Sequence, residues 1–251
     1  MADILLEVCV DDIAGLEAAV EGGADRIELC SALSAGGLTP SAGLMGRAAD
    51  MDVPVYAMIR PRTGDFIYTP AELDVMARDI EAARAAGLEG VVFGANLPDG
   101  RLDKAALSFL CERAGDMPKT LHRAFDLVSD IEEAVEIAVR LGFERILTSG
   151  GQKTAAGGIE GLQRTFTAAA GRIAVMPGSG INTETVAALL DAAPFREIHA
   201  SCAAPLPASA DLTGKVLGFG FALAGEKRSD AERVRALKAL LAAHPASAVI
   251  R

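Results

Sequence analysis

Two short segments of the chain pair a carboxylate with a thiol at the same spacing. Leu6–Cys9 reads Leu-Glu-Val-Cys and Ile27–Cys30 reads Ile-Glu-Leu-Cys. Residues two apart in a β-strand face the same way, so each segment presents its acid and its thiol on one face. Thiolates select Cu(I) or another soft ion over Mg or Ca, which makes Cys9 and Cys30 a candidate metal pair. The alternative is that each buried cysteine acts as a small hydrophobic side chain.

A second candidate group would perform acid/base chemistry. Its members are Glu7, Glu28, Arg60 and His122. An arginine binds a carboxylate or a phosphate and a histidine titrates near neutrality, so such a group suits catalysis on a small anion. The alternative is a purely structural network in which Glu7 and Glu28 pair with Arg60, because buried charge requires a partner.

Two glycine-containing turns are candidates for anion binding. The residues concerned are Ser149, Gly150 and Gly151 in the first turn and Gly178 and Ser179 in the second. Glycine lets backbone N–H groups approach an anion, and a helix predicted from about Asn182 would add its positive end. Barrel proteins often bind phosphate near this position. The alternative is that tight turns require glycine whether or not an anion binds.

These residues lie in or after extended apolar segments that alternate with amphipathic ones along the chain. The alternation is typical of parallel strands joined by crossover helices, and it occurs eight times. A length of 251 residues suits one (β/α)8 barrel, so residues 1–251 are predicted to form a single α/β domain with a TIM-like barrel fold. The predicted strands are Ile4–Val10, Arg26–Cys30, Val55–Arg60, Gly90–Asn96, Lys119–Phe125, Arg145–Ser149, Ile173–Pro177 and Glu197–Cys202.

An open doubly wound sheet shares this rhythm but normally has a glycine-rich dinucleotide turn after its first strand. Here that turn is Val-Asp-Asp-Ile at Val10–Ile13, and the eight repeats favour the closed barrel. The clearest predicted helices are Pro70–Ala86, Asp130–Leu141 and a last one from about Asp230 to Ala243. The segment Ala203–Ser229 is predicted to be the loop after the eighth strand.

The alternation of side chains along each strand predicts which residues fill the barrel. In the first strand Leu6, Val8 and Val10 share one apolar face, which leaves Glu7 and Cys9 inside. Barrel interiors usually hold branched apolar side chains, so a polar interior indicates an ion network or a site. The same reasoning places further residues inside, namely Glu28, Cys30, Tyr56, Met58, Arg60, Thr120, His122, Glu197, His199 and Ser201, with Asp126 at the mouth.

The net charge and the distribution of apolar residues exclude several classes of partner. The formal charge of −10 would repel phosphate backbones and anionic lipids, so we expect no nucleic-acid and no membrane partner. No stretch approaches about 18 uninterrupted apolar residues. Asp3 and Glu7 stand where a signal peptide needs basic and then apolar residues, so a cytoplasmic location is expected. The four cysteines show no CxxC spacing, and disulfides are not expected.

Several sequence blocks occur in an order that resembles one known family. The blocks are Leu6–Asp11, Gly22–Ser31, Gly36–Ser41, Met58–Arg62 with Gly64–Phe66, His122–Asp126, Leu147–Gly150 and Met176–Gly178. Together they resemble the CutC family of copper homeostasis proteins, from Leu6 to about Leu237. The resemblance implies a TIM-like barrel that binds Cu(I) in the cytoplasm through Cys9 and Cys30, and it implies a homo-oligomer.

The chain departs from the family pattern in three places. Gly178-Ser179-Gly180 stands where the family tends to have three glycines, Ala203–Ala224 matches poorly, and Cys202 adds a thiol. The polar interior is also richer than copper carriage requires. The rival hypothesis is therefore a barrel enzyme that acts on a small anionic or phosphorylated metabolite through the four acid/base residues.

Overall fold

Eight parallel strands form a nearly closed barrel and alternate with helices. The computed structural model describes residues 4–206, 213–221 and 225–244. The barrel strands are β1 (Leu5–Val10), β2 (Arg26–Leu29), β3 (Val55–Met58), β4 (Gly90–Phe93), β5 (Lys119–Leu121), β6 (Arg145–Thr148), β7 (Ala174–Pro177) and β8 (Glu197–Ala200). From β1 to β7 each strand pairs with the next, β8 pairs with β1, and β7 packs beside β8. The predicted (β/α)8 TIM-like barrel is confirmed.

The predicted strands are present, but most of them end earlier than the sequence suggested. The largest difference is at β5, which ends at Leu121 and is followed by a 3₁₀ turn over Arg123–Leu127. The backbone N–H of Phe125 donates to the carbonyl of His122 at 3.1 Å, so the chain turns instead of extending. The prediction of a strand up to Phe125 is therefore wrong, and Thr120 keeps its predicted place inside the barrel.

The helices cover the outside of the barrel. They are α1 (Ile13–Glu21), α2 (Ala42–Ala49), α3 (Pro70–Ala85), α4 (Lys104–Ala114), α5 (Ile131–Arg140), α6 (Ile159–Ala169), α7 (Val186–Ala192), α8 (Thr213–Gly218) and α9 (Ala231–Ala243). Helix α3 begins as its sequence predicts, since Thr69 and Glu72 form a capping box and Pro70 takes the first helical position. None of the helices within the described residues has both the length and the apolar character needed to cross a bilayer.

The helix predicted from about Asn182 begins later, at Val186. The Asn182 side chain accepts hydrogen bonds from the backbone N–H groups of Glu184 at 2.8 Å and Thr185 at 3.2 Å. These bonds hold the intervening residues in a turn, because an asparagine side chain competes with the backbone for local donors. The positive helix end predicted next to Gly178 is therefore absent from that position.

The segment Ala203–Ser229 contains regular structure where a loop was predicted. Two short antiparallel strands, β9 (Ala203–Pro205) and β10 (Lys227–Ser229), pair with each other, and α8 lies between them in sequence. Residues 207–212 and 222–224 of this segment lie outside the described residues. Strand β10 returns the chain to the barrel, where the Ser229 hydroxyl donates to the carbonyl of Cys9 at 3.2 Å.

The two faces of the barrel strands pack in separate clusters. The outward residues Leu6, Val8 and Val10 are buried in the main apolar core beneath the helices. Inside the barrel Cys30, together with Tyr56, Met58 and Val92, forms a small separate cluster. The interior also holds Leu147 and Met176 beside its polar side chains, so it is partly polar, as the alternation of side chains along the strands predicts.

Candidate functional site

A network of ions forms the lower part of the barrel interior. Arg26 is ion-paired with Glu7 and, at 2.7 Å, with Glu197, which also pairs with Arg145 at 2.8 Å. Both guanidinium groups lie over the ring of Tyr56, at 5.2 and 5.1 Å from its centroid. The hypothesis that Arg60 neutralises the glutamates is therefore wrong for Glu7, whose partner is Arg26.

The Glu7 carboxylate links this lower network to His199. Strand register places Glu7 opposite both Arg26 and His199, and its Oε1 lies 2.8 Å from His199 Nδ1. Burial alone would raise the pKa of Glu7, but the charges of Arg26 and His199 outweigh burial and lower that pKa to about 2. Glu7 is therefore ionised in the folded protein and pairs with Arg26 and His199.

Above Glu7, three potential metal ligands converge at the carboxyl end of the strands. Donor atoms of Cys9, Glu28 and His199 all lie within 4.8 Å of one another. The register explains this, because Cys9 is opposite Glu28 on β2 and His199 comes from β8 on the other side of β1. Glu28 Oε2 is 3.8 Å from His199 Nε2. The sequence placed all three inside the barrel but did not identify His199 as part of this cluster.

The ionisation of this cluster differs from that of free side chains. Burial raises the pKa of Glu28 to about 6, against the opposing charge of His199. Burial would lower the pKa of His199, but Cys9, Glu28 and the hydrogen bond that His199 donates to Glu7 raise it well above its usual value. The two groups therefore stabilise each other as an imidazolium–carboxylate pair near neutral pH.

The second candidate thiol, Cys30, lies beside the cluster but deeper. It follows β2 directly and its Sγ lies 3.6 Å from Glu28 Oε2, to which it donates. Burial and the Glu28 carboxylate raise the pKa of Cys30 well above its usual value, and the charge of Cys9 adds to this rise. Cys30 is fully buried, whereas Cys9 is 7% exposed. Cys9 and Cys30 as a shared metal pair remain a prediction.

A cavity of about 300 Å³ opens at this end of the barrel. Its walls include Cys9, Glu28, Met58, Arg60, His122 and His199. Glu7 lies below it, with no exposed surface. Three of the four predicted acid/base residues thus line one cavity. The fourth, Glu7, lies beneath the cavity and contacts His199. Chemistry in (β/α)8 barrels sits at this end of the strands.

Arg60 enters the cavity wall without a carboxylate partner. Its guanidinium donates to the carbonyls of Ala35 and Gly37, each at 3.2 Å, and of Gly64 at 2.8 Å. The ring of Phe66 lies 4.9 Å from its central carbon. Carbonyl dipoles and an aromatic face stabilise a cation but leave its net charge in place.

His122 contacts the same Phe66 ring, with the two ring centroids 4.7 Å apart. Its Nδ1 accepts a hydrogen bond from the backbone N–H of Ala124 at 3.1 Å, so the hydrogen of the neutral ring is on Nε2. Burial, and next the charge of Arg60, lower the pKa of His122 to about 3. The prediction that His122 titrates near neutrality is therefore wrong, because the neutral ring is the stable form.

The predicted anion-binding turn after β6 is filled by a carboxylate of the chain itself. Asp126 accepts hydrogen bonds from the backbone N–H groups of Ser149 at 2.9 Å and Gly151 at 3.2 Å, and from the Thr148 hydroxyl at 2.5 Å. The Gly150 N–H donates to the Thr148 hydroxyl. The donors that were predicted to bind an external anion are thus already used by a side chain. The sequence had placed Asp126 only at the barrel mouth.

The turn after β7 is also engaged within the chain. The Gly178 N–H donates to the carbonyl of Thr148 at 2.9 Å, and the Ser179 hydroxyl donates to the carbonyl of Lys153 at 2.8 Å. Ser179 lines the cavity and has a positive φ of 81°, a conformation that favours glycine. External anion binding at either turn therefore stays a prediction, and at the first turn it requires displacement of Asp126.

Sequence comparison identifies relatives over nearly the whole chain. The chain is 59% identical over 248 residues to a family protein CutC of Rhizobium meliloti, covering 99% of this chain and all of that one. It is 41% identical over 241 residues to the human copper homeostasis protein cutC homolog, covering 94% and 88% of the two chains.

Structure comparison and the family profile agree with these relatives. The crystal structure of a putative copper homeostasis protein CutC from Streptococcus agalactiae superposes with a TM-score of 0.75 at 30% identity, over 79% of this chain and 98% of that one. The profile of the CutC family matches residues 4–204, which include every strand of the barrel and the whole cavity wall described above. The chain belongs to the CutC family.

Proposed function

We propose that this protein acts in copper homeostasis by binding Cu(I) at the barrel mouth, with Cys9 and Cys30 as thiolate ligands. The observation that carries the proposal is the convergence of Cys9 with Glu28 and His199 within 4.8 Å at a cavity. Thiolate is a donor that Cu(I) accepts, as is the imidazole of His199 once it has lost its proton, whereas an oxygen-only site would suit harder ions. The proposal places the protein in the cytoplasm as a homo-oligomer, as the family resemblance implies.

A proton acceptor for the Cys30 thiol lies next to it. A thiol binds a metal as the thiolate, so Cu(I) must displace the Cys30 proton against a raised pKa. Glu28 already accepts the hydrogen bond of that thiol at 3.6 Å. Glu28 is therefore the acceptor at hand for the proton, and Cys9, which lines the cavity, is the ligand that an entering ion reaches first.

Titration of the reduced, metal-free protein with Cu(I) against a competing chelator tests this function. We expect Cys9→Ser and Cys30→Ser each to weaken binding by at least about tenfold. Cys111→Ser is the matched control, because Cys111 lies on α4, outside the cavity wall. Wild-type affinity in the double variant Cys9→Ser/Cys30→Ser would show that the thiols are not the ligands.

A second function has an observation of its own. Glu28, Arg60 and His122 line one cavity, which supports an enzyme acting on a small anionic or phosphorylated metabolite. Glu28, with a pKa raised to about 6, is the candidate base, and neutral His122 is a hydrogen-bond donor. Glu7 positions His199 from below. A screen of carboxylated and phosphorylated metabolites for turnover by metal-free protein tests it, with Glu28→Gln expected to be inactive.

A further inference from the structure

Three residues of the cavity wall, Arg60, His122 and Glu28, each have a buried polar side-chain atom without a hydrogen-bond partner among the described residues. Arg60 Nε, His122 Nε2 and Glu28 Oε1 make no hydrogen bond of normal geometry within the described part of the chain. Their side chains are deeply buried, with residue exposures of 5, 3 and 3%. Buried polar groups are nearly always paired, because an unpaired one costs about 1–3 kcal/mol. Three exceptions around one cavity indicate a ligand that pairs them.

The charge around these atoms specifies the ligand's chemistry. Arg60 contacts carbonyl groups and the Tyr68 hydroxyl, none of which carries a negative charge at neutral pH. His122 offers a second N–H donor beside it, since Phe66 contacts both groups. Two donors, one of them cationic, suit an oxyanion. Glu28 Oε1 is an acceptor and suits a hydroxyl group.

We propose that Arg60 and His122 form an oxyanion subsite for a small hydroxylated carboxylate or phosphate, whose hydroxyl group donates to Glu28. The inference goes beyond copper binding and deepens the second function, on whose cavity it rests. A volume of about 300 Å³ holds a compound of a few carbon atoms. The subsite is separate from the Asp126 turn, whose N–H groups are already used.

The Phe66 ring lies against both donors of the subsite. Its ring centroid is 4.7 Å from that of His122, and the ring also covers the Arg60 guanidinium. The Phe66 backbone is held, because its carbonyl accepts from the Asn96 N–H at 2.8 Å. Arg62 fixes the next residue by donating to the Ile67 carbonyl at 2.7 Å. The backbone on either side of the Phe66 side chain is therefore held by hydrogen bonds.

Ligand-observed NMR on reduced, metal-free protein tests the subsite with lactate, propionate and inorganic phosphate as probes. We expect saturable lactate binding that Arg60→Met and His122→Asn each weaken by about tenfold or more. Arg78→Met, on the exposed side of α3, is the matched control and should bind lactate like the wild type. Lactate should bind more tightly than propionate, and Glu28→Leu, which removes the acceptor, should remove that difference.

His122→Asn decides the matter if Arg60→Met fails to fold, since asparagine retains an acceptor for the Ala124 N–H. Phosphate that displaces lactate, or that binds alone with the same dependence on Arg60 and His122, supports the subsite and identifies phosphate as the preferred oxyanion. Absence of saturable binding by both lactate and phosphate overturns the proposal, as does wild-type lactate affinity in folded His122→Asn. Neither result depends on Cu(I) affinity or on turnover, which are measured separately.

Discussion

The Asp126 carboxylate accepts a hydrogen bond from the backbone N–H of Ser149 at 2.9 Å, across the turn that follows β6. The same carboxylate binds the Gly151 N–H and pairs with Arg123 at 2.7 Å. One side chain thus satisfies a set of donors that a phosphate would otherwise attract. The turn's shape depends on that negative charge.

Asp126→Gly is expected to destabilise the protein by about 1–3 kcal/mol, because several buried donors lose their acceptor. Urea unfolding measures this loss, with Asp99→Gly as the control, since Asp99 pairs with Arg101 at the surface. Inorganic phosphate should restore part of the stability of Asp126→Gly and leave the wild type unchanged. A variant that phosphate does not rescue would contradict anion binding at Ser149, Gly150 and Gly151.

Glu28→Gln should stabilise the metal-free protein at alkaline pH. The folded pKa of about 6 exceeds the ordinary value of 4.5, so the folded state binds more protons between these values and loses stability as pH rises through 6. Glutamine removes that loss, which amounts to roughly 2 kcal/mol. Unfolding free energies at pH 5 and pH 8 give the comparison, with exposed Glu17→Gln as control. Equal pH dependence in wild type and Glu28→Gln would refute the buried carboxylate's role.

His122→Asn should reduce the loss of stability that the protein undergoes as the pH falls below 7. The folded pKa of about 3 lies below the ordinary 6.5, so the unfolded state binds more protons between these values and stability falls with pH through that range. Asparagine does not titrate. The melting temperature of His122→Asn, measured from pH 7 to pH 4, should drop less than that of the wild type. Gln163→Asn, an exposed change on α6 that involves no titratable group, is the control and should follow the wild-type profile.

Arg26→Met should be the most damaging of the single changes considered, with a loss of about 3–5 kcal/mol. It leaves the Glu7 carboxylate without its main counter-ion at a site with no exposed surface. The double variant Arg26→Met/Glu7→Gln should recover part of the loss, because the uncompensated charge is gone. Chemical denaturation measures both, and Arg78→Met is the exposed control. No recovery in the double variant would mean that packing, not charge, dominates at Arg26.

The sequence was most informative where side-chain alternation determines position. It predicted that Glu7, Cys9, Glu28 and His199 face inward, because apolar neighbours define the opposite face of each strand. It did not reveal that Glu7 pairs with Arg26, although Arg26 shares the face of Glu28. The ion-pair partner of a residue depends on strand register. Register places Glu7 of β1 opposite Arg26 of β2 and His199 of β8. Register arises from the closure of the whole barrel and has no local signal.

Loop-borne contacts were the least predictable from sequence. The depressed pKa of His122 results from burial and from the charge of Arg60, which reaches it from a different strand end. Asp126 lies on a 3₁₀ turn that replaced the end of a predicted strand, and this turn directs its carboxylate to the Ser149 N–H. In both cases chain segments far apart in sequence create the environment. Residue type alone therefore predicted an ordinary pKa for His122 and an external anion at the Ser149 turn.

The contacts of Cys9 with residues that are distant in sequence have a consequence for folding during synthesis. Cys9 lies on β1, but its neighbour His199 lies on β8 and the Ser229 hydroxyl reaches its carbonyl from β10. Folding during synthesis proceeds from the amino end, so β1 remains a sheet edge until β8 has been synthesised. Until then the thiol lacks its pocket, and the nascent chain presents it to chaperones and oxidants as a bare cysteine. The site is therefore complete only after β10 has been synthesised.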